Sequence, residues 1–350
     1  MKKTKKRYNK KRNKRNIKNG KNGGKMENTK NNFVNKYEFN APLKTLKKLS
    51  CSPVSKKKEN KDYSCYSNTS ILKLRDIWNA RHPDAKILSN DPKLIHNELY
   101  KHLQNVCDTE ACWLKQTMHF GQLEDEDMKG AFAPKAPKEW EKNPNEWLSS
   151  LDISRVMKQY EKAYSCFAFI GPTPIDFDKE LPNGECVWKD LCELKINEIL
   201  RKGKNKIGIV FNTDPHNKSG EHWISMFIKI NMHKGWLKNE KKDAKEGLKH
   251  PTTGSIFFFD SVGSKPPKEI KDLADRIMEQ GLTMNPQIKF TYDQNYPVEH
   301  QYGNTECGVY SLYFIVEMLK DKITGNYLKT HILKDDYIHE FRKLFFNIDL

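Results

Sequence analysis

The residues able to do covalent chemistry gather late in the chain, in the run Gln301-Tyr302-Gly303-Asn304-Thr305-Glu306-Cys307-Gly308. Cys307 and Gly308 open a strongly apolar stretch, VYSLYFIVEML, which reads as a buried helix. A cysteine in the first turn of a helix meets unpaired backbone N–H groups and the positive end of the helix dipole, both of which favour a thiolate. A cysteine that only fills a core would sit further inside the run. Gln301, six residues upstream, carries a side-chain amide able to donate to a developing negative charge.

A thiolate nucleophile needs a base, and the base needs an orienting partner. His222, in Gly220-Glu221-His222-Trp223, stands at the head of the strand-like segment HWISMFIKI. Asp260 follows the short apolar run Ile256-Phe257-Phe258-Phe259, and Ser261-Val262-Gly263 after it is turn-like. Both side chains therefore belong where strand ends expose groups on a rigid scaffold. Asp214, Asp293 and Glu306 compete with Asp260 as the orienting acid. Each residue alone has a plainer reading: a packed histidine, an inert buried cysteine, a turn-forming aspartate. Together, in the order His222, Asp260, Gln301, Cys307, they point to nucleophilic catalysis by sulfur.

This order, with His-Trp at the base and Gln shortly before Cys-Gly, resembles the papain-distant cysteine proteases that include the SUMO-specific proteases and the adenovirus-type proteinase. The resemblance covers roughly residues 145–345. The segments WLSSLDISRVMKQYEKAYSCFAFIGPTPIDFD and IGIVFNTD further resemble the capsid-maturation proteases of large cytoplasmic DNA viruses of the African swine fever virus type. It implies a Cys-His-Asp triad of Cys307, His222 and Asp260, with Gln301 in the oxyanion hole. It implies substrate contacts at Gly308, where a glycine admits a close backbone, and at Trp223, which either walls a narrow channel or is an ordinary core aromatic. Cleavage after Gly-Gly or Gly-x-Gly in viral structural polyproteins during virion maturation, in the host cytoplasm and virion, is the expectation. Removal of a ubiquitin-like modifier such as SUMO is the alternative within the same chemistry. The gap of 38 residues between His222 and Asp260 is long for the family, and a charged insertion at 233–250 accounts for it.

The elements that must position these residues divide the chain in three. Residues 1–64 form a basic tail and linker expected to be disordered: residues 1–30 hold fourteen Lys and Arg against Glu27, so +13 of the +17 net charge lies there. Such a tail would attract nucleic acid through phosphates, without sequence preference, and a non-enzymatic nucleic-acid-binding virion protein is the reading from a different class. Residues 65–130 read as a small helical domain, with Asp91-Pro92 opening one helix and Glu110–Met118 forming another. A Pro/Ala-rich stretch, 131–137, reads as a linker. Residues 140–350 read as an α+β catalytic domain, a central mixed sheet flanked by helices with the nucleophile at a helix N-terminus. Its elements are a helix over Ile153–Tyr164, strands at Phe167–Ile170, Ile207–Phe211 and Ile288–Tyr292, and amphipathic helices over Val187–Leu200 and Pro267–Gly281.

Composition bounds the rest. No apolar run approaches the ~20 residues of a membrane span, and the basic N-terminus lacks the apolar core of a secretory signal. Eight cysteines in 350 residues are too few for a disulfide scaffold, so free thiols in a reducing compartment are expected. Cys107-x4-Cys112 and Cys186-x5-Cys192 lack zinc-site spacing, and no metal or other cofactor is expected.

Overall fold

In a computed structural model of the chain, the apolar runs from Phe167 onward pair into one five-stranded sheet. The structure describes residues 49–58, 62–103, 106–107, 109–118, 126–231 and 252–348. The basic segment 1–32 and the charged insertion 233–250 lie outside the described residues. The strands are β1 (Phe167–Pro174), β2 (Lys206–Asn212), β3 (Trp223–Asn231), β4 (Thr252–Phe259) and β5 (Ile288–Gln294), in that spatial order. β2, β3 and β4 are antiparallel neighbours, whereas β1 runs parallel to β2 and β5 parallel to β4, so the sheet is mixed. The longer helices are α1 (Asn68–Arg81), α2 (Pro92–Leu103), α3 (Glu110–Met118), α4 (Ser150–Ala163), α5 (Lys268–Thr283) and α6 (Cys307–Leu319).

Strand periodicity sorts the core into two layers. Phe257 and Phe259 of β4 face one side and join Val210, Phe227, the apolar face of α4 and almost all of α6. Ile256 and Phe258 face the other side, against Ile270, Leu273, Ala274 and Ile277 of α5. α4 starts at a capping box, in which the Ser149 hydroxyl accepts the Asp152 N–H and the Asp152 carboxylate accepts the Ser149 N–H. α6 is buried on nearly every side, as its composition demands. Among the described residues no helix is long and apolar enough to cross a membrane.

Three expectations need correcting. The helix expected over Val187–Leu200 is two short ones, Lys189–Cys192 and Ile196–Arg201. α5 side chains take over the backbone groups at the break: Arg276 donates to the Leu191 carbonyl, and Gln280 donates to the Leu194 carbonyl while accepting the Ile196 N–H. The stretch 131–137 is no free linker. Ala131, Phe132, Ala133 and Ala136 are buried, and Ala136 and Pro134 pair with the backbone of Asn347. The described residues accordingly form one compact unit. Finally, six cysteines are joined as disulfides, Cys51–Cys65, Cys107–Cys112 and Cys186–Cys192, while Cys166 and Cys307 are free. Chain turns bring each pair's Cα atoms to between 5.1 and 6.6 Å, a proximity that linear spacing does not reveal.

Asn347 fastens the N-terminal helical region to the chain's end. Its side chain accepts the Ser50 N–H at 2.7 Å and donates to the carbonyls of Ser50 and Ala133. Asn347→Ala strips partners from these buried backbone groups and is expected to cost about 2–3 kcal/mol, read as a lower urea midpoint without loss of helical circular dichroism.

Candidate active site

Sheet register explains why residues far apart in sequence meet. In the antiparallel β3–β4 pair, Ser225 lies opposite Phe259, so the start of β3 adjoins the end of β4. His222 immediately precedes β3 and Asp260 immediately follows β4. Their separation of 38 residues therefore vanishes, and the His222 Nε2 and Asp260 Oδ1 stand 2.7 Å apart. β5 runs parallel to β4 with Gln294 opposite Phe258, which brings Asn295 to the same edge.

The loop before His222 is tightly braced. Asn212 Oδ1 accepts the N–H groups of Asp214 and Glu221, and Asp214 Oδ2 accepts that of Gly220. Gly220 holds φ at +91°, where a side chain is strained, and a Cβ there would strike the Asn212 amide at 2.5 Å. Asp260 is fixed from two sides. Its N–H donates to Asn295 Oδ1 and its carbonyl accepts from Asn295 Nδ2, while Oδ1 also accepts the Val262 N–H. Asn295 is fully buried and spans back to the Val298 carbonyl. Nothing in the sequence around Asn295 announces this role, because side-chain amides are equally common in exposed turns.

Cys307 is the first residue of α6, and the rest of the first turn is free of any side-chain cap. The residue is 2% exposed. His222 is raised from its ordinary value of 6.5 to about 10. Burial opposes the imidazolium, but hydrogen bonds to the Asp260 carboxylate and to the Cys307 sulfur outweigh it. With Nε2 directed at Asp260, Nδ1 is the nitrogen left for the sulfur.

The rival acids are engaged elsewhere. Asp214 braces the Gly220 loop, and Asp293 pairs with Lys329 at 2.6 Å. Glu306 is buried next to Cys307, with Arg342 Nε 2.9 Å from Oε2 and His339 Nδ1 3.1 Å from Oε1. Arg342 also donates to the carbonyls of Pro144, Glu146 and Thr305 and lies over the Trp140 ring. A buried carboxylate at a helix start demands such compensation. This network was not legible in the sequence, since Arg342 lies in an ordinary amphipathic segment.

Gln301 is buried on the other side of Asp260. Its Oε1 accepts the Ser261 hydroxyl at 2.7 Å and its Nε2 donates to the Gly303 carbonyl at 3.1 Å. Asp335 Oδ2 accepts the N–H groups of Tyr302 and Gly303, which holds the following loop. Gly308 differs from expectation. A Cβ there would sit 3.1 Å from Leu148 Cβ and 3.2 Å from Trp223 Cδ1, so protein side chains rather than substrate occupy its open face. Trp223 donates its indole N–H to the Leu148 carbonyl and is 9% exposed, so it packs beside Leu148 against Gly308.

A free cysteine at a helix start, beside an imidazole whose other nitrogen meets a carboxylate at the edge of a mixed sheet, fits a cysteine protease. Residues 151–349 match the Ulp1 protease family, C-terminal catalytic domain, and the chain belongs to that family. A cysteine protease of African swine fever virus is 22% identical over 79% of this chain and 98% of its own length. A protein of Acanthamoeba polyphaga mimivirus assigned as a thiol protease is 27% identical over 79% of this chain and 82% of its own. The crystal structure of the African swine fever virus protease shares the fold, with TM-score 0.57 and 20% identity over 85% of this chain and 96% of that one.

Two outcomes follow from the charges. His222 stabilises the fold fully below about pH 6.5, and that contribution is lost as pH rises through about 10. Asp260→Asn should bring the His222 titration down by at least about one unit, seen by NMR of the imidazole, and should flatten the alkaline loss of stability. Arg342→Leu leaves Glu306 buried and uncompensated and should cost about 3–5 kcal/mol, measured by urea unfolding and largely recovered in the Arg342→Leu, Glu306→Leu double variant.

Proposed function

We propose that the protein is an endopeptidase that cleaves viral structural polyproteins after Gly-Gly or Gly-x-Gly during virion maturation, in the host cytoplasm and in the particle. In this reading the Cys307 thiolate attacks the scissile carbonyl carbon. The resulting oxyanion accepts hydrogen bonds from the Gln301 side-chain amide and the Cys307 N–H. As the C–N bond breaks, His222 gives its proton to the leaving amine. Water then attacks the thioester, His222 takes the proton of that water, and the acid product leaves with the thiolate restored. Asp260 holds the imidazole in the orientation this needs.

The observation carrying the reading is the 2.7 Å His222–Asp260 contact beside a free cysteine at the start of α6. The burial of Cys307 supports the preference for glycine, since a buried sulfur meets a residue without a side chain more readily than a bulky one. A second reading, removal of a ubiquitin-like modifier, is favoured by a relative in African swine fever virus that bears the name SUMO-1 cysteine protease, 22% identical over 73% of this chain. Attraction of the basic segment 1–32 to nucleic acid would add local concentration inside a particle.

Purified full-length protein offered a Gly-Gly-x peptide and a SUMO conjugate separates the two readings. Peptide cleavage, abolished in Cys307→Ala and reduced by about three orders of magnitude or more in His222→Ala, is the expected result. Cleavage of the conjugate alone reverses the order. A chain that cleaves neither, and whose cysteine is not labelled by a Gly-Gly peptide electrophile, rejects both.

A further inference from the structure

One residue beside the proposed machinery has a partner that a purely structural serine would not need. Ser261 is buried, with 1% of its surface exposed. Its carbonyl accepts two backbone N–H groups, those of His300 and Gln301, each at 2.8 Å. Its hydroxyl donates to Gln301 Oε1 at 2.7 Å. The same residue thus fixes the backbone and the side chain of Gln301, and it directly follows Asp260.

A carboxamide has two faces of opposite meaning: oxygen accepts, nitrogen donates. An oxyanion is stabilised only by the nitrogen end, and a flipped amide would repel it. The Gly303 carbonyl, which can only accept, tells the two ends apart, and the Ser261 hydroxyl, donating, holds Oε1 in that choice. The Ser261 hydroxyl meets Oε1, whereas the Gly303 carbonyl accepts from Nε2 at 3.1 Å. An inverted amide would press its oxygen against the Gly303 carbonyl. One amide hydrogen is used by Gly303, so the second remains for a reacting group. A donor held this way costs no reorganisation when charge develops.

We propose that Ser261 is a positioning residue for the reaction, orienting the Gln301 amide so that an N–H faces the oxyanion, and that the consecutive pair Asp260-Ser261 sets the base and the oxyanion donor from a single turn. Asp260 reaches His222 and Ser261 reaches Gln301. Asn295 holds the Asp260 backbone at both its N–H and its carbonyl, so the turn cannot shift one arm without the other. Ser261 touches no reacting atom and acts only through Gln301. The inference rests on the protease reading above.

The test uses the full-length chain as wild type, Ser261→Ala, Gln301→Ala and the double variant. Cleavage of the Gly-Gly-x peptide by Ser261→Ala should show kcat lowered roughly tenfold, less than the ~100-fold loss of a whole oxyanion donor, with KM within about twofold. In the Gln301→Ala background, Ser261→Ala should add nothing. The pH profile of Cys307 alkylation by iodoacetamide, a reaction without an oxyanion, should be unchanged. Independently of any substrate, the side-chain amide protons absent from the Gln301→Ala NMR spectrum should exchange with solvent at least about tenfold faster in Ser261→Ala. Ser261→Thr, which keeps the hydroxyl, should retain slow exchange and gives a second variant should the alanine form melt early. Equal losses in both backgrounds, an altered alkylation profile, or unchanged amide exchange overturns the proposal. A wild type that cleaves no Gly-Gly peptide, yet shows slow exchange lost in Ser261→Ala, rejects the substrate reading and leaves the orientation standing.

Discussion

Helix α6 is apolar on nearly all sides, so water cannot satisfy its ends and the protein must. At the C-terminal end, Lys206 donates to the Leu319 carbonyl and pairs with Asp321, which Lys229 also holds. At the N-terminal end, buried Glu306 is neutralised by Arg342 and met by His339. These contacts anchor the two ends of the helix, and Cys307 is its first residue. The placement of the sulfur is therefore a consequence of how a buried helix is terminated, rather than of anything the cysteine does itself.

Two buried carboxylates lie close to the sulfur and are treated in opposite ways. Glu306 meets an arginine, a permanent cation held by four further contacts. Asp260 meets a histidine, whose charge can come and go, and whose side chain keeps a fifth of its surface exposed. The difference in partner separates a structural ion pair from the pair proposed to work with the sulfur. Environment, not residue type, assigns the roles.

The sheet contributes rigidity where it is needed. His222, Asp260 and Asn295 leave the same edge from three adjacent strand ends. Strand ends are held by ladder hydrogen bonds on neighbouring strands, so these side chains inherit a fixed spacing. Gln301 comes instead from a connection, and Ser261, Asp335 and Gly303 supply the bracing that the ladder does not. The N-terminal helices, with a core of their own around Tyr66, Ile95 and Trp113, join the rest through the Ser50–Asn347 contacts at the far end of the chain.

Much of this was readable in advance, for reasons of periodicity. β5 and helices α4 and α5 carry clean two- or 3.6-residue patterns, β3, β4 and α6 are marked by apolar runs, and Asp91 caps α2 through the N–H groups of Lys93 and Leu94, the role its position before Pro92 suggested. What failed to show depended on partners distant in the chain. The broken helix at 189–201, the burial of 131–137 and the disulfides all arise from contacts that no local window contains. The same holds for Asn295, Ser261 and Arg342. The sequence by itself determined the residue types, their order and the elements bearing them, because hydrophobic period and turn chemistry are local. Only the tertiary structure decided which acid faces His222, that Gly308 is covered by Leu148 and Trp223, and which end of the Gln301 amide is presented, because those depend on strand register and on hydrogen bonds closed across the fold.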